Sequence, residues 1–160
     1  MKKIVLIRHG KSSWDLPVID HDRQLTKKGI ENSIKIAIES MQFIDSKSTI
    51  WSSSAQRAFQ TACLIVDNWK LPLSSIIVKK DLYTFNSHQL EQIVKSCPNE
   101  CESLILFGHN NAITDFVNKF GDIFIDNVPT SGFVSIIFET NSWSSITKGK
   151  TNKILVPREI

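Results

Sequence analysis

Two stretches of the chain are unbroken apolar runs that stop abruptly at a histidine-bearing polar step. Ile4-Val5-Leu6-Ile7 gives way to Arg8-His9-Gly10, and Leu104-Ile105-Leu106-Phe107 gives way to Gly108-His109. Continuous rather than alternating apolarity is the pattern of a strand covered on both faces. Shorter strands are expected at Thr49-Ile50-Trp51, Ile76-Ile77-Val78 and Phe133–Phe138, with further candidates at Ser144–Thr147 and Lys153–Val156. Between them the period changes to that of a helix. Thr26 is placed to cap a helix on which Ile30, Ile34, Ala37, Ile38 and Met41 recur, and Ala58, Ala62, Ile65 and Trp69 mark a second from about Ala55 to Trp69. Leu90, Ile93 and Val94 form a short helix before Pro98. Ile113, Phe116, Val117 and Phe120 form a last one, closed by Gly121. A polar, proline-containing loop fills the interval from Gly10 to about Leu25. Phe116, Phe120, Phe133 and Phe138 fall on core positions, and Cys63 is expected on the buried, inert side of its helix. Strands alternating with helices predict one α/β domain over residues 1–160 with a mostly parallel sheet.

Composition narrows the function classes. The chain has 160 residues, 19 basic against 16 acidic, for a net charge of +3. Its lysines are dispersed rather than massed, which argues against a nucleic-acid face. The cysteines are Cys63, Cys97 and Cys101; no CxxC pair exists, so neither a zinc site nor a disulfide framework is expected. Only four apolar residues precede Arg8. A signal peptide needs roughly 7–15 such residues and a membrane helix about 20. The expectation is a soluble cytoplasmic protein without a membrane partner.

In open α/β sheets, ligands bind beyond the carboxyl ends of the strands. His9 and His109 both stand at such ends. Ser52-Ser53-Ser54-Ala55-Gln56-Arg57 follows a third strand and puts Arg57 in the first turn of a helix, where free N–H groups already favour an anion. Two arginines and two histidines suit a dianionic phosphoryl group. Guanidinium forks bind its oxygens at any working pH, and neutral imidazole is a competent nucleophile toward phosphorus. No cluster of metal ligands accompanies them, so arginine is expected to take the part of the cationic clamp, without cofactor or metal.

These residues resemble a known family. Arg8-His9-Gly10 after a short strand, Ser54-Ala55-Gln56-Arg57-Ala58-Phe59-Gln60-Thr61-Ala62 and Gly108-His109-Asn110-Asn111 are similar to the signature segments of the histidine phosphatase (phosphoglycerate mutase-like) superfamily. Lys11-Ser12-Ser13-Trp14-Asp15, the run Asp20–Gly29, Leu82-Tyr83 and Pro129-Thr130 resemble its short SixA-type phosphohistidine phosphatases. The resemblance implies a three-layer phosphoglycerate mutase-like fold, with a mostly parallel sheet and helices on both faces. It implies His9 as the transiently phosphorylated nucleophile, with Arg8, Arg57 and His109 completing the phosphate pocket. The implied partners are a phosphohistidine-bearing protein and, in the pocket, phosphate or other oxyanions.

Longer members of the superfamily supply a proton-donating carboxylate from an inserted segment. Here Tyr83–Leu90 offers none, and Glu91 reads as a solvated helix charge. Asp20, Asp22 and His88 are the candidate substitutes. A missing acid disfavours alkyl phosphates but not phosphohistidine, whose leaving imidazole departs neutral. The alternatives are a small-molecule phosphomonoesterase of the same superfamily and a phosphate-binding regulator without turnover. Gly10-Lys11-Ser12 imitates the end of a P-loop, but Val5 stands where the motif needs glycine. Ser12 is placed among the substrate-binding residues, with a plain loop serine as the alternative. Trp14 is expected to pack its loop rather than form a pocket rim, and Arg23 to pair structurally with Asp22.

Overall fold

A computed structural model describes residues 1–160. Six strands form one sheet: β1 (Lys2–Arg8), β2 (Thr49–Ser53), β3 (Ile76–Lys79), β4 (Ser103–Gly108), β5 (Phe133–Phe138) and β6 (Lys150–Leu155). Their spatial order is β3-β2-β4-β1-β5-β6. The first four in that order run parallel, while β5 is antiparallel to both β1 and β6. The helices are α1 (Lys27–Ser40), α2 (Gln56–Asn68), α3 (Ser87–Lys95) and α4 (Ala112–Phe120).

The continuous apolar runs explain the layering. Along β1, Ile4 and Leu6 enter a core with Val94, Phe116 and Val117 of α3 and α4. Val5 and Ile7 point the other way, into a core with Ile36 and Ala37 of α1 and Ile65 and Val66 of α2. A strand sandwiched between two helical layers has no polar face to spare. The sheet is thus the middle of three layers, as the expected fold class requires. No helix is long and apolar enough to cross a membrane.

α1 forms where expected, with Thr26 Oγ1 accepting from Gly29 N at 3.0 Å, but its buried face is not the isoleucine stripe. Gly29, Ser33, Ile36, Ala37 and Ser40 are buried, whereas Ile30, Ile38 and Met41 are exposed. The reason is the loop that follows β1, which lies directly on α1. A methyl group on Gly29 would stand 2.2 Å from the Lys11 carbonyl oxygen, and one on Gly10 would stand 2.9 Å from Ser33 Oγ. Small residues win that face because backbone must pass there. This close approach fixes the segment carrying His9 and Gly10.

Three further expectations change. Ser144–Thr147 is not a strand: Trp143–Ser145 forms a 3-10 turn, because Trp143 is pulled into the core and its Nε1 donates to Cys101 O at 2.7 Å. Cys63 is half-buried rather than buried, although desolvation still pushes its thiol pKa up. Glu91 is not a solvated charge. It is 8% exposed and paired with Lys95 at 2.9 Å and Lys119 at 2.6 Å, tying α3 to α4.

Candidate active site

Register brings the two histidines together. β1 and β4 pair in parallel with Arg8 opposite Gly108, so the next residue of each chain segment is a histidine beside a histidine. His9 N donates to Gly108 O at 3.1 Å, and the ring centroids lie 5.2 Å apart. His9 Nδ1 is 2.7 Å from Gly10 O. A carbonyl only accepts, so Nδ1 carries the proton and Nε2 keeps its lone pair. Burial lowers the His9 pKa to about 4, and the charges of Arg57, Arg8 and Arg23 press the same way against the opposing Gly10 hydrogen bond. At neutral pH the ring is an uncharged imidazole of fixed tautomer. Gly10 itself is held by α2, its N–H donating to Thr61 Oγ1 at 2.8 Å.

His109 is fixed from β2. Its Nε2 lies 2.8 Å from Ser53 Oγ, which also accepts from Ala55 N at 3.2 Å. Ser53 is fully buried, so its hydroxyl proton needs an acceptor, and Nε2 is the one within reach. That assigns the ring proton to Nδ1, a buried atom without a hydrogen-bond partner. Burial first, then the neighbouring His9 and the Arg57 and Arg8 charges, lower the His109 pKa to about 3, with Asp20 opposing. His109 is therefore a neutral donor beside His9 rather than a cation.

Three guanidiniums complete the site. Arg8, at the end of β1, donates from Nη1 to Val128 O at 3.0 Å. Arg57, in the first turn of α2, is 2% exposed. Arg23 is also buried, and its Nη1 donates to Ser12 Oγ at 2.5 Å. The Nε atoms of Arg8 and Arg57 are, like His109 Nδ1, buried and unpartnered. Buried donors left over on two guanidiniums and an imidazole are what a multi-oxygen anion would satisfy. His9 and these arginines line an open cleft of 390 Å³ together with Lys11, Ser12 and Asn110. Larger surface hollows, beside Gly149, Cys101, Glu102 and Phe59, contain none of these groups.

The quartet His9, Arg8, Arg57 and His109 is thus brought together at the carboxyl edge, and Ser12 joins the cleft wall by holding Arg23. Other expectations are corrected. Arg23 does not pair with Asp22; its Nε bonds Asp20 Oδ1 at 3.1 Å, and the guanidinium belongs to the cleft. Trp14 does not pack its loop: it is 77% exposed on the rim, with the Arg23 guanidinium carbon 3.5 Å from its ring centroid. Asp20 is no proton donor. Burial raises its pKa, but hydrogen bonds from Tyr83, Arg57 and Arg23 outweigh that and bring it down to about 2. Asp22 is exposed and pairs with His21 at 3.3 Å, while His88 is exposed in the first turn of α3; neither lines the cleft. Sequence reasoning gave no role to Tyr83 and Phe85, whose rings lie 5.4 and 5.3 Å from His109. Their placement depends on the turn between β3 and α3, which has no periodic signal.

The sequence profile described as the histidine phosphatase superfamily (branch 1) matches residues 4–96, a span that includes Arg8, His9 and Arg57. No curated protein sequence matches the chain. Among solved structures, the protein histidine phosphatase SixA complexed with tungstate superposes with a TM-score of 0.82 at 22% identity, covering 98% of each chain. A protein from Agrobacterium tumefaciens, proposed to be phosphohistidine phosphatase SixA, gives 0.75 at 21%, again with 98% of each chain. A phosphoserine phosphatase from Entamoeba histolytica, in complex with 3-phosphoglyceric acid, gives 0.63 at 17%, covering 96% of each chain.

Proposed function

The chain belongs to the histidine phosphatase superfamily, and within it we propose that this protein is a metal-independent hydrolase, a SixA-type phosphohistidine phosphatase acting on a phosphorylated protein. In this reading the phosphoryl group sits among Arg8, Arg23, Arg57 and His109. His9 Nε2 forms a bond to phosphorus as the substrate P–N bond breaks. The departing imidazole takes the bonding electron pair and, carrying a proton on its other nitrogen, leaves neutral. Water then attacks the phosphorus of phospho-His9, and His9 leaves in the same neutral form because Gly10 O holds its Nδ1 proton. The water's protons pass to solvent and to the released phosphate. Arginine and His109 donors bind the equatorial oxygens throughout and offset the charge that builds there.

The observation that carries this reading is the state of the one carboxylate lining the cleft. Asp20 is held ionised by two arginines and a tyrosine, so the cleft has no acid to protonate an alkoxide. Substrate and phosphoenzyme are then the same kind of compound, each with an imidazole leaving group. The exposed aromatic rim of Trp14 and Phe85 favours a protein surface beside the phosphoryl group over a small sugar phosphate.

The test is phosphate release from a phosphohistidine protein, a simple phosphoramidate, an aryl phosphate and alkyl phosphates such as phosphoserine. Nitrogen-linked and aryl substrates should exceed alkyl esters by at least the ~10²-fold that a positioned general acid supplies. A chelator should leave each rate unchanged. Comparable kcat/KM on alkyl esters would replace this reading with a phosphomonoesterase.

A further inference from the structure

Asp20 begins the 3-10 turn Asp20–Asp22 and accepts more than any other side chain in the cleft. Its Oδ2 takes Arg57 Nη2 at 2.9 Å and the Tyr83 hydroxyl, and its Oδ1 takes Arg23 Nε at 3.1 Å. Its backbone carbonyl takes Arg57 Nη1 at 2.7 Å. The donors come from α2, from the loop after β1 and from the turn before α3. Arg8, Arg23 and Arg57 repel one another, and a guanidinium without a counter-charge in such a cluster swings toward water. We propose that Asp20 is a positioning residue: its carboxylate fixes Arg57 and Arg23 in the orientation that turns their remaining N–H groups onto the phosphoryl oxygens. It acts through the arginines and does not touch the reacting atoms.

The contacts are compatible with that role. A guanidinium has more N–H groups than these bonds use. Asp20 grips Arg57 at its Nη end, and the Nε, buried and unpartnered, is left over. Arg23 gives Nε to Asp20 and one Nη1 hydrogen to Ser12, which leaves its other terminal hydrogens. The competing role is a plug, in which the carboxylate stands where the phosphoryl group belongs. The two differ in sign. Removing a negative charge beside an anion site tightens anion binding if Asp20 only repels or blocks, and weakens it if Asp20 aims the clamp.

The experiment measures competitive inhibition by tungstate, and kcat/KM on a phosphoramidate, for wild type, Asp20→Asn and Asp20→Ala. Asp20→Ala should weaken tungstate binding and lower kcat/KM at least ten-fold. Asp20→Asn, which keeps one accepting oxygen, should fall between it and wild type. Tighter or unchanged tungstate binding in both variants overturns the proposal, whereas wild type that fails to bind tungstate overturns the phosphate-site reading instead. Tyr83 is the sole tyrosine of the chain, so tyrosinate absorbance reads its ionisation alone. Burial and then Asp20 raise the Tyr83 pKa, and Asp20→Asn should move that titration to lower pH. An unmoved titration overturns the contact on which the proposal stands. Should Asp20→Ala fail to fold, the same two readouts on Asp20→Asn decide the matter.

Discussion

Glu91, between α3 and α4, accepts from Lys95 at 2.9 Å and Lys119 at 2.6 Å, while Asp20, in the cleft, accepts from Arg57 at 2.9 Å and Arg23 at 3.1 Å. Both carboxyl groups are held below their ordinary range, Glu91 by hydrogen bonds from its lysines and Asp20, against the cost of burial, by Tyr83 and the arginines. The chemistry of the two clusters is otherwise different. An ammonium is a compact point charge on a flexible stem, whereas a guanidinium is a rigid fork with donors on more than one edge. Around Glu91 no buried polar atom is left without a partner; around Asp20 the Nε of Arg57 is. An ion pair is therefore a poor marker of function. What marks the cleft is the donor capacity that remains after the ion pairs are made.

The largest expected effect removes the proposed nucleophile. His9→Ala should drop turnover to background, a loss of about 10⁴-fold or more. Arg57→Lys tests the comparison itself, because it puts at the cleft the kind of cation that serves Glu91. The charge stays and the fork goes, and kcat/KM should fall about 10²-fold. A variant within a few-fold of wild type would show that charge, not the fork, is what the cleft supplies.

A smaller effect follows from pH. The His9 pKa is lowered to about 4, from an ordinary value of 6.5. Its neutral, reactive form therefore persists down to about pH 4, and activity should fall only as pH drops through that value. Stability has a related sign. Between pH 6.5 and about 4 the unfolded chain binds a proton at this position that the folded chain does not. Its contribution is full above 6.5 and declines as pH falls toward 4. Imidazole resonances of His9 followed by NMR check the value; a midpoint near 6.5 would show that burial and the arginines do not control it. The smallest effect belongs to the other cluster. Glu91→Gln should leave kcat/KM unchanged and cost about 1 kcal/mol or less in denaturant unfolding, because Lys119 is 63% exposed.

Much of this architecture is legible in the sequence because it rests on short-range pattern. The apolar runs at Ile4–Ile7 and Leu104–Phe107 stand out, and parallel pairing of two such strands places their terminal histidines side by side. What was illegible depends on how separate segments meet. The isoleucines of α1 form a credible stripe, yet Gly29 and Ser33 face inward because the Lys11 backbone passes against them. Arg23 and Trp14 lie in a loop without period, and their stacking over the cleft is decided by Asp20 and Ser12. Glu91 looks solvated on its own helix; only the neighbouring α4, with Lys119, covers it. Helix periodicity identifies elements, but it does not reveal what each face meets.

The central claim is that His9 attacks phosphorus, and the most direct measurement is a trap for the intermediate. Wild-type protein mixed with a phosphorylated substrate and quenched in alkali should carry one phosphoryl group on His9, stable to base and lost in acid, located by mass spectrometry of the digested chain. His9→Ala should carry none. A phosphoryl group on a different residue, or turnover of wild type through a direct attack of water with no phospho-His9 at any quench time, would contradict the account.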